Sequence, residues 1–468
     1  MHIHFVGVAG TGMGPLAGLL RSQGHRITGS DTAFYPPIGP ALEAWDIEIL
    51  EGYDERHLEP AADLIVVGNV CRKDNLEASA ALENGLNVIS MPEAIETLIL
   101  HKRPSYVVSG THGKTTTTAL LAFLLQRNSV EPGYLIGGAP LNFKTSFSLG
   151  NPTHPFVIEG DEYDSAFFEK TPKFWRYRPS AAILTSIEYD HIDIYPSQEH
   201  YEQAFVEFVK RIPKDGLLVA NAADAAVCRI ATQAPCKVIF VGVEETGAFH
   251  HKPNWRIRAV SASKQGQHFS LVNPEQRTIN GISPLYGKHN LLNTLSAFAL
   301  CRHQHDIKEE NLLDAMSEFR GVKRRQEMIA EHADIRVYDD FAHHPTAVSE
   351  TLWAIRHKHP EGKLVAVFEP RSATSCRKLH QHVYPKAFAL ADRVLLAPVG
   401  RKNIAQEDQL DTQDIALHIG EHATACSSID EILSTLVTEL KPHDTVVLMS
   451  NGSFEKLGPR LSTALSKR

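Results

Sequence analysis

The chain has 468 residues, 43% hydrophobic and 22% charged, with 47 Lys and Arg against 55 Asp and Glu and a net charge of −8. That length exceeds one ordinary core and predicts about three domains at roughly 150 residues each. The composition excludes a disordered chain, and the acidic balance argues against nucleic acid as the main partner while allowing a local basic pocket for a small anion.

The start, Met1 to Val6, has no basic leader and runs straight into glycines, so it reads as a first strand and not a signal peptide. Gly7-Val8-Ala9-Gly10-Thr11-Gly12-Met13-Gly14 follows, with Leu16 to Leu20 as the helix behind it. The next strand ends on Ser30-Asp31, an acid about 20 residues on, which suits a ribose or base contact. The glycine spacing is irregular, so a nicotinamide site, a nucleotide-sugar site and a plain tight turn all fit. Gly10, Thr11, Gly12, Met13, Ser30 and Asp31 are the candidate ligand contacts. Asp63 to Val67 and Leu86 to Ile89 continue the strand pattern. The polar break Lys102-Arg103-Pro104 then closes a first domain, 1–103.

Tyr106 to Val108 is a new strand, and Ser109-Gly110-Thr111-His112-Gly113-Lys114-Thr115-Thr116 leads from it into an apolar helix. Backbone N–H groups at a helix N-terminus suit phosphate. Lys114 offers a point charge for the β- and γ-phosphates, and Thr115 a hydroxyl for Mg²⁺. Val108 stands where the full motif has its first Gly, so the match is to a shortened variant. ATP or GTP binding follows. The densest apolar run, Leu120 to Leu125, is far short of the roughly 18 residues of a membrane span.

Phe156 to Ile158 is a strand ending on Glu159-Gly160-Asp161-Glu162-Tyr163-Asp164, which makes Glu159 the candidate to share Mg²⁺ with Thr115. Ala181 to Leu184 ends among carboxylates, with His191 as a second candidate ligand. A solvated acidic turn competes with the first reading, and a structural histidine, one of 25, with the second. Strands follow at Leu217 to Val219 and Val238 to Val241. Alternation over 250–283 predicts antiparallel strands, and helical periodicity returns from Asn290 to Cys301. The basic break Phe319 to Arg325 ends a central domain, 104–319, and opens a third, 320–468.

The third block has strands at Arg336 to Tyr338, Leu364 to Phe368, Val394 to Leu396 and Thr445 to Met449. Tyr338 to Pro345 joins a strand end to a helix start, with Thr346 as a candidate cap. Arg371 follows another strand and suits either a substrate carboxylate or a structural salt bridge. Six scattered cysteines with no C-x-x-C pair argue against zinc sites and disulfides, and point to the cytosol.

Gly110-Thr111-His112-Gly113-Lys114-Thr115-Thr116, Glu159, Asp190-His191, Gly287-Lys288-His289-Asn290-Leu291-Leu292-Asn293, Arg324-Arg325 and Asp339-Asp340, in that order, resemble the Mur ligase family over essentially the whole chain. The resemblance implies a three-domain α/β fold: an N-terminal Rossmann-like UDP-binding domain, a central P-loop ATPase-type domain and a C-terminal Rossmann-like domain for the amino substrate. It implies ATP and Mg²⁺, with metal held by Thr115, Glu159 and His191. It puts Asn290 and Asn293 on adenine, Asp340 on ribose, and Arg325 on the phosphates from the third domain. Lys114, His191, Arg325 and His343 are the implied catalytic set. The general base stays open among His112, His343 and His344.

Two branches are close, both acting on UDP-N-acetylmuramate. One adds L-alanine. The other adds the murein tripeptide L-alanyl-γ-D-glutamyl-meso-diaminopimelate, and Tyr35-Pro36-Pro37, Gly68-Asn69, Asn142-Phe143, Glu162 to Phe168 and Tyr338 to Thr346 look like this branch. Asn69 joins the expected substrate contacts on that ground. Two departures stand out. Phe205 fills the place of a lysine that is carbamylated in some members, and Gly160 replaces an expected Ala. A nicotinamide-dependent oxidoreductase would leave the phosphate loop and Glu159 without a task. A nucleotide-gated binding module would use the loop without making a bond.

Overall fold

Three sheets arranged in chain order organise the computed structural model, which describes residues 1–35, 38–401 and 404–467. Pro36 and Pro37 of the tripeptide-branch signature lie outside the described residues.

The first sheet is wholly parallel, in the order Glu48–Glu51, Arg26–Asp31, His2–Val6, Leu64–Val67, Val88–Ser90. Its strands are short apolar runs such as Leu64-Ile65-Val66-Val67, all buried, as expected of strands covered on both faces. Strand order reverses at His2–Val6. The loops after Val6 and Val67 therefore open a crevice at the carboxyl edge, where such sheets bind ligands.

The second sheet has ten strands. Its parallel centre runs Gly133–Leu135, Phe156–Gly160, Ser105–Ser109, Ala181–Leu184, Leu217–Asn221, Lys237–Val243, Trp255–Ser263. Gly266–Val272 and Thr278–Ser283 extend it antiparallel, where the sequence alternates. The helix Lys114–Arg127 is buried on every side from Thr115 to Leu125. It lies in one core with the helix Lys288–His305, which explains why neither shows a clean polar face. Both helices begin beside the same edge of the sheet, so the phosphate loop and Asn290 to Asn293 share one corner.

The third sheet runs Glu327–His332, Ile335–Asp340, Thr445–Met449, Leu364–Phe368, Arg393–Leu396, Ala423–Ala425, parallel except for its first strand. The segment before it is strapped to the central domain: Leu141 N donates to Gly321 O at 2.9 Å and Lys323 N to Ala139 O at 2.9 Å. The helix Pro345–Lys358 starts with Pro at its first turn, and its cap is His344, whose Nδ1 accepts from Thr346 N at 3.3 Å. This corrects the sequence reading. A Pro at the first helical position puts the cap one residue before it, not at Thr346.

Phe205 is fully buried, 5.4 Å from Phe174 and 5.1 Å from Tyr201 between ring centroids, so an apolar cluster stands at that place. All six cysteines are free thiols. No helix among the described residues is long and apolar enough to cross a membrane.

Candidate active site

The phosphate loop joins the strand Ser105–Ser109 to the helix Lys114–Arg127. Gly110 (φ +132°) and Gly113 (φ +82°) sit where side chains are disfavoured. A Cβ on Gly113 would lie 2.4 Å from Asn293 Oδ1, so the loop needs glycine to pass the helix Lys288–His305. Lys114 Nζ folds back over the loop and donates to Gly110 O at 2.7 Å. It also meets both oxygens of Glu162, at 3.0 and 2.8 Å. Burial disfavours the ammonium, but Glu162, Asp161 and Glu159 outweigh it and hold its pKa above the ordinary value.

Two carboxylates face this lysine. Glu159 Oε2 accepts from Thr115 Oγ1 at 3.1 Å, and Oε1 from Gly137 N at 2.6 Å. Burial raises its pKa against Gly137, Lys114, Arg325 and Thr115. Adjacent oxygens around an octahedral Mg²⁺ sit about 2.9 Å apart at metal–oxygen lengths of 2.0–2.1 Å. The Thr115–Glu159 pair therefore fits that ion, and a half-buried carboxylate whose pKa desolvation raises is where one is stabilised. Glu162 is fully buried. Besides Lys114 it accepts from His191 Nε2 at 3.0 Å. His191 is held at φ +55°, a left-handed conformation costly for a residue with a Cβ. Burial alone would lower its pKa, but Glu162 and Asp190 raise it. The structure thus gathers Lys114, Thr115, Glu159 and His191, with Glu162 at their centre, a role the sequence reading did not give it.

The third domain contributes from above. The guanidinium carbon of Arg325 lies 4.8 Å from the Phe341 ring centroid. Burial depresses its pKa, while Asp340 and Glu159 support the charge. The neighbouring Val322 packs close to Gly138, which also borders Thr115, so the interdomain strap passes over the metal-fitting pair. Asp340 accepts from Gln326 N at 2.7 Å, Ala342 N at 2.8 Å and Thr351 Oγ1 at 3.3 Å. Three of its roughly four acceptor positions thus brace its own domain. Asn290 and Asn293 are buried; Asn290 Nδ2 donates to Tyr286 O at 2.7 Å and Asn293 borders Gly113. Thr111 Oγ1 bonds Tyr201 OH at 2.9 Å, and the Thr116 side chain is buried. Burial pulls His343 down to about 4, and its Nδ1 lies 3.0 Å from Phe341 O.

At the first-sheet crevice, Ala9 N donates to Asp31 Oδ2 at 2.9 Å, closing the glycine loop. Thr11 and Asn69 are exposed at its rim, Gly10 and Gly12 partly so, and Met13 is buried against Gly68. Ser30 does not belong with them. Its hydroxyl is fully buried and donates to Glu77 Oε1 at 2.8 Å, because alternate strand residues face opposite sides and Asp31 takes the crevice. In the third domain Arg371 is partly exposed and pairs with the buried Glu369 at 3.2 Å. It lies against Gly400 and Gly452, at the carboxyl ends of neighbouring strands.

Comparison with known proteins matches the chain in three successive segments. Residues 2–103 match the Mur ligase family catalytic domain, 108–301 the Mur ligase middle domain, and 324–452 the Mur ligase glutamate ligase domain. The UDP-N-acetylmuramate–L-alanyl-γ-D-glutamyl-meso-2,6-diaminoheptandioate ligase of Haemophilus influenzae is 35% identical over 457 residues, 97% of this chain and 96% of that protein. Its Escherichia coli counterpart is 33% identical over 100% of this chain and 99% of its own. The crystal structure of a murein peptide ligase from Psychrobacter arcticus matches with a TM-score of 0.75 and 35% identity, covering 100% of this chain and 99% of that one. Three successive domain matches, a phosphate loop facing buried carboxylates and an arginine strapped over them lead to one assignment: the chain belongs to the Mur ligase family.

Proposed function

We propose that the chain joins L-alanyl-γ-D-glutamyl-meso-diaminopimelate to UDP-N-acetylmuramate at the expense of ATP, in peptidoglycan recycling. The observation that carries this is the cluster of Lys114, Thr115, Glu159 and Glu162 at the phosphate loop. The full-length similarity to relatives named for this reaction supports the choice of substrate. The working domains are 1–103 for the UDP substrate, 104–319 for ATP and 320–468 for the amino substrate.

The muramyl carboxylate is a poor electrophile. Its oxygen attacks the γ-phosphorus of ATP, the bond to the bridging oxygen breaks, and ADP leaves. The tripeptide amine then attacks the carbonyl carbon of the acyl phosphate, and inorganic phosphate departs. The chain's work is positioning and charge neutralisation. Lys114 exchanges Glu162 for the phosphates, and Arg325 approaches them as the third domain closes. Thr115 and Glu159 would hold Mg²⁺, with His191 as a further ligand if freed from Glu162, and the ion would supply positive charge to the transferring phosphoryl. Asn290 and Asn293 line the base position. The general base stays open among His112, His343 and His344.

The test incubates the purified chain with ATP, Mg²⁺, UDP-N-acetylmuramate and the tripeptide. The reading requires an amide product in the mass spectrum, with one phosphate released per product. ATP turnover without amide, or NAD binding with no ligation, would sink it.

A further inference from the structure

We propose a second cation site, of the zinc class, that joins the phosphate loop to the third domain through His112, Glu188 and His344. It is separate from the magnesium-fitting pair and uses none of its ligands. His112 comes from the phosphate loop, Glu188 follows the strand Ala181–Leu184, and His344 caps the helix Pro345–Lys358. His112 Nε2 lies 3.2 Å from Glu188 Oε2, and His344 Nδ1 lies 3.3 Å from the same oxygen. One ligand atom from each of the three lies within 4.8 Å of the others. The edges of a tetrahedron around zinc measure about 3.3 Å when its bonds are 2.0–2.1 Å, which is the spacing seen on both sides of Glu188.

Hydrogen bonds from His112 Nε2 at 3.2 Å and Thr346 Oγ1 at 2.8 Å satisfy Glu188 Oε2 but place nothing between it and His344. His344 Nδ1 accepts from Thr346 N, so it carries no proton. Glu188 Oε2 is also an acceptor, and the two face each other with no hydrogen between them. A cation between them would take the His344 Nδ1 lone pair from Thr346 N and relieve that opposition. A third imidazole stands beside the set: the ring centroid of His380 is 4.6 Å from that of His344, and its buried Nε2 has no hydrogen-bond partner. Two or three imidazole nitrogens with one carboxylate suit zinc, cobalt or nickel, whereas Mg²⁺ takes mostly oxygen ligands. The cysteine count, which argued against zinc, does not bear on a His and Glu set. Because the ligands come from two domains, an ion here holds the third domain closed over the phosphate loop.

The experiment strips the full chain with a chelator and titrates Co²⁺, then Zn²⁺, against a chromophoric competitor, with Mg²⁺ in excess. Expected are one tightly held cation per chain and visible bands of four- or five-coordinate cobalt. Glu188→Gln and His344→Asn should each weaken binding roughly tenfold or more, since even outer-sphere partners of a ligand are worth about 10–100-fold. Asn keeps a capping oxygen, so the helix start survives, and Glu188→Gln tests the site without touching the cap. Binding that both variants retain, no saturable binding, or ready displacement by Mg²⁺ would overturn the proposal. None of these outcomes depends on which amino substrate the enzyme ligates.

Discussion

Lys114 and Glu162 form an ion pair inside the phosphate loop, with the ammonium 2.8 and 3.0 Å from the two oxygens of a fully buried carboxylate. The same lysine holds the loop backbone through Gly110 O. The side chain that is expected to serve the phosphates therefore also supports the loop backbone.

Lys114→Ala should lose ligation by several kcal/mol of transition-state stabilisation, the scale for a charged group at a transferring phosphoryl. It should also unfold more easily, because removing one partner of a buried pair costs about 3–5 kcal/mol. Adding Glu162→Gln should restore much of the stability and none of the activity. Thermal melts of the single and double variants check this. A single variant that melts like the parent would show that His191 alone satisfies Glu162.

Glu159→Gln should raise the Mg²⁺ concentration needed for half-maximal turnover by roughly tenfold or more, since one hard anionic ligand is lost while the shape is kept. The amide can still accept from Gly137 N, so the fold should hold. UDP-N-acetylmuramate affinity should be unchanged. A fall in that affinity with no change in metal response would move Glu159 to another site.

Burial pulls His343 and His359 down to about 4. Both are below the ordinary histidine value in the folded chain, so the unfolded chain takes up protons first as pH falls. Their contribution to stability is full above about pH 6.5 and is lost between there and about pH 4. Each adds a slope of up to about 1.4 kcal/mol per pH unit in that window. His359 bonds Tyr338 OH at 2.8 Å, away from the phosphate loop. His359→Gln should flatten the acid limb by one group in urea unfolding at stepped pH. An unchanged slope would mean that His359 titrates alike in both states.

The phosphate loop was legible because chemistry and backbone geometry demand the same residues: glycine at positive φ, then Lys and Thr at a helix start. Glu162 was not. It lies two residues past the strand Phe156–Gly160, and only the tertiary fold turns it toward a lysine 48 positions earlier. Ser30 misled because the dinucleotide pattern fixes a sequence distance and not a face, and period-two alternation sent it inward to Glu77. Edge strands such as Glu48-Ile49-Leu50-Glu51 escaped for a related reason: half-exposed and four residues long, they carry too little pattern to stand out.

The choice of amino substrate gives the last prediction. L-Alanine presents one ammonium and one carboxylate close together. The tripeptide carries further carboxylates several ångströms away and needs a cation to meet them. Arg371 is such a cation, partly exposed and braced by the buried Glu369, whose other oxygen accepts from Ser450 Oγ. Arg371→Ala should raise KM for the tripeptide by roughly tenfold to a hundredfold, from a charge-assisted pair of about 1.5–3 kcal/mol. KM for ATP and for UDP-N-acetylmuramate should barely move. Gly452→Ala should act in the same direction, because a Cβ there would lie 2.0 Å from Arg371 Cδ and must push the side chain aside. One variant removes the arginine and the other displaces it, so agreement between them ties the effect to the position of that guanidinium. L-Alanine alone should be a poor acceptor of the muramyl group, since it cannot use the remote anchor whose binding energy positions the amine. Efficient ligation of L-alanine with the tripeptide inert would overturn this reading and make the chain an alanine-adding member of the family.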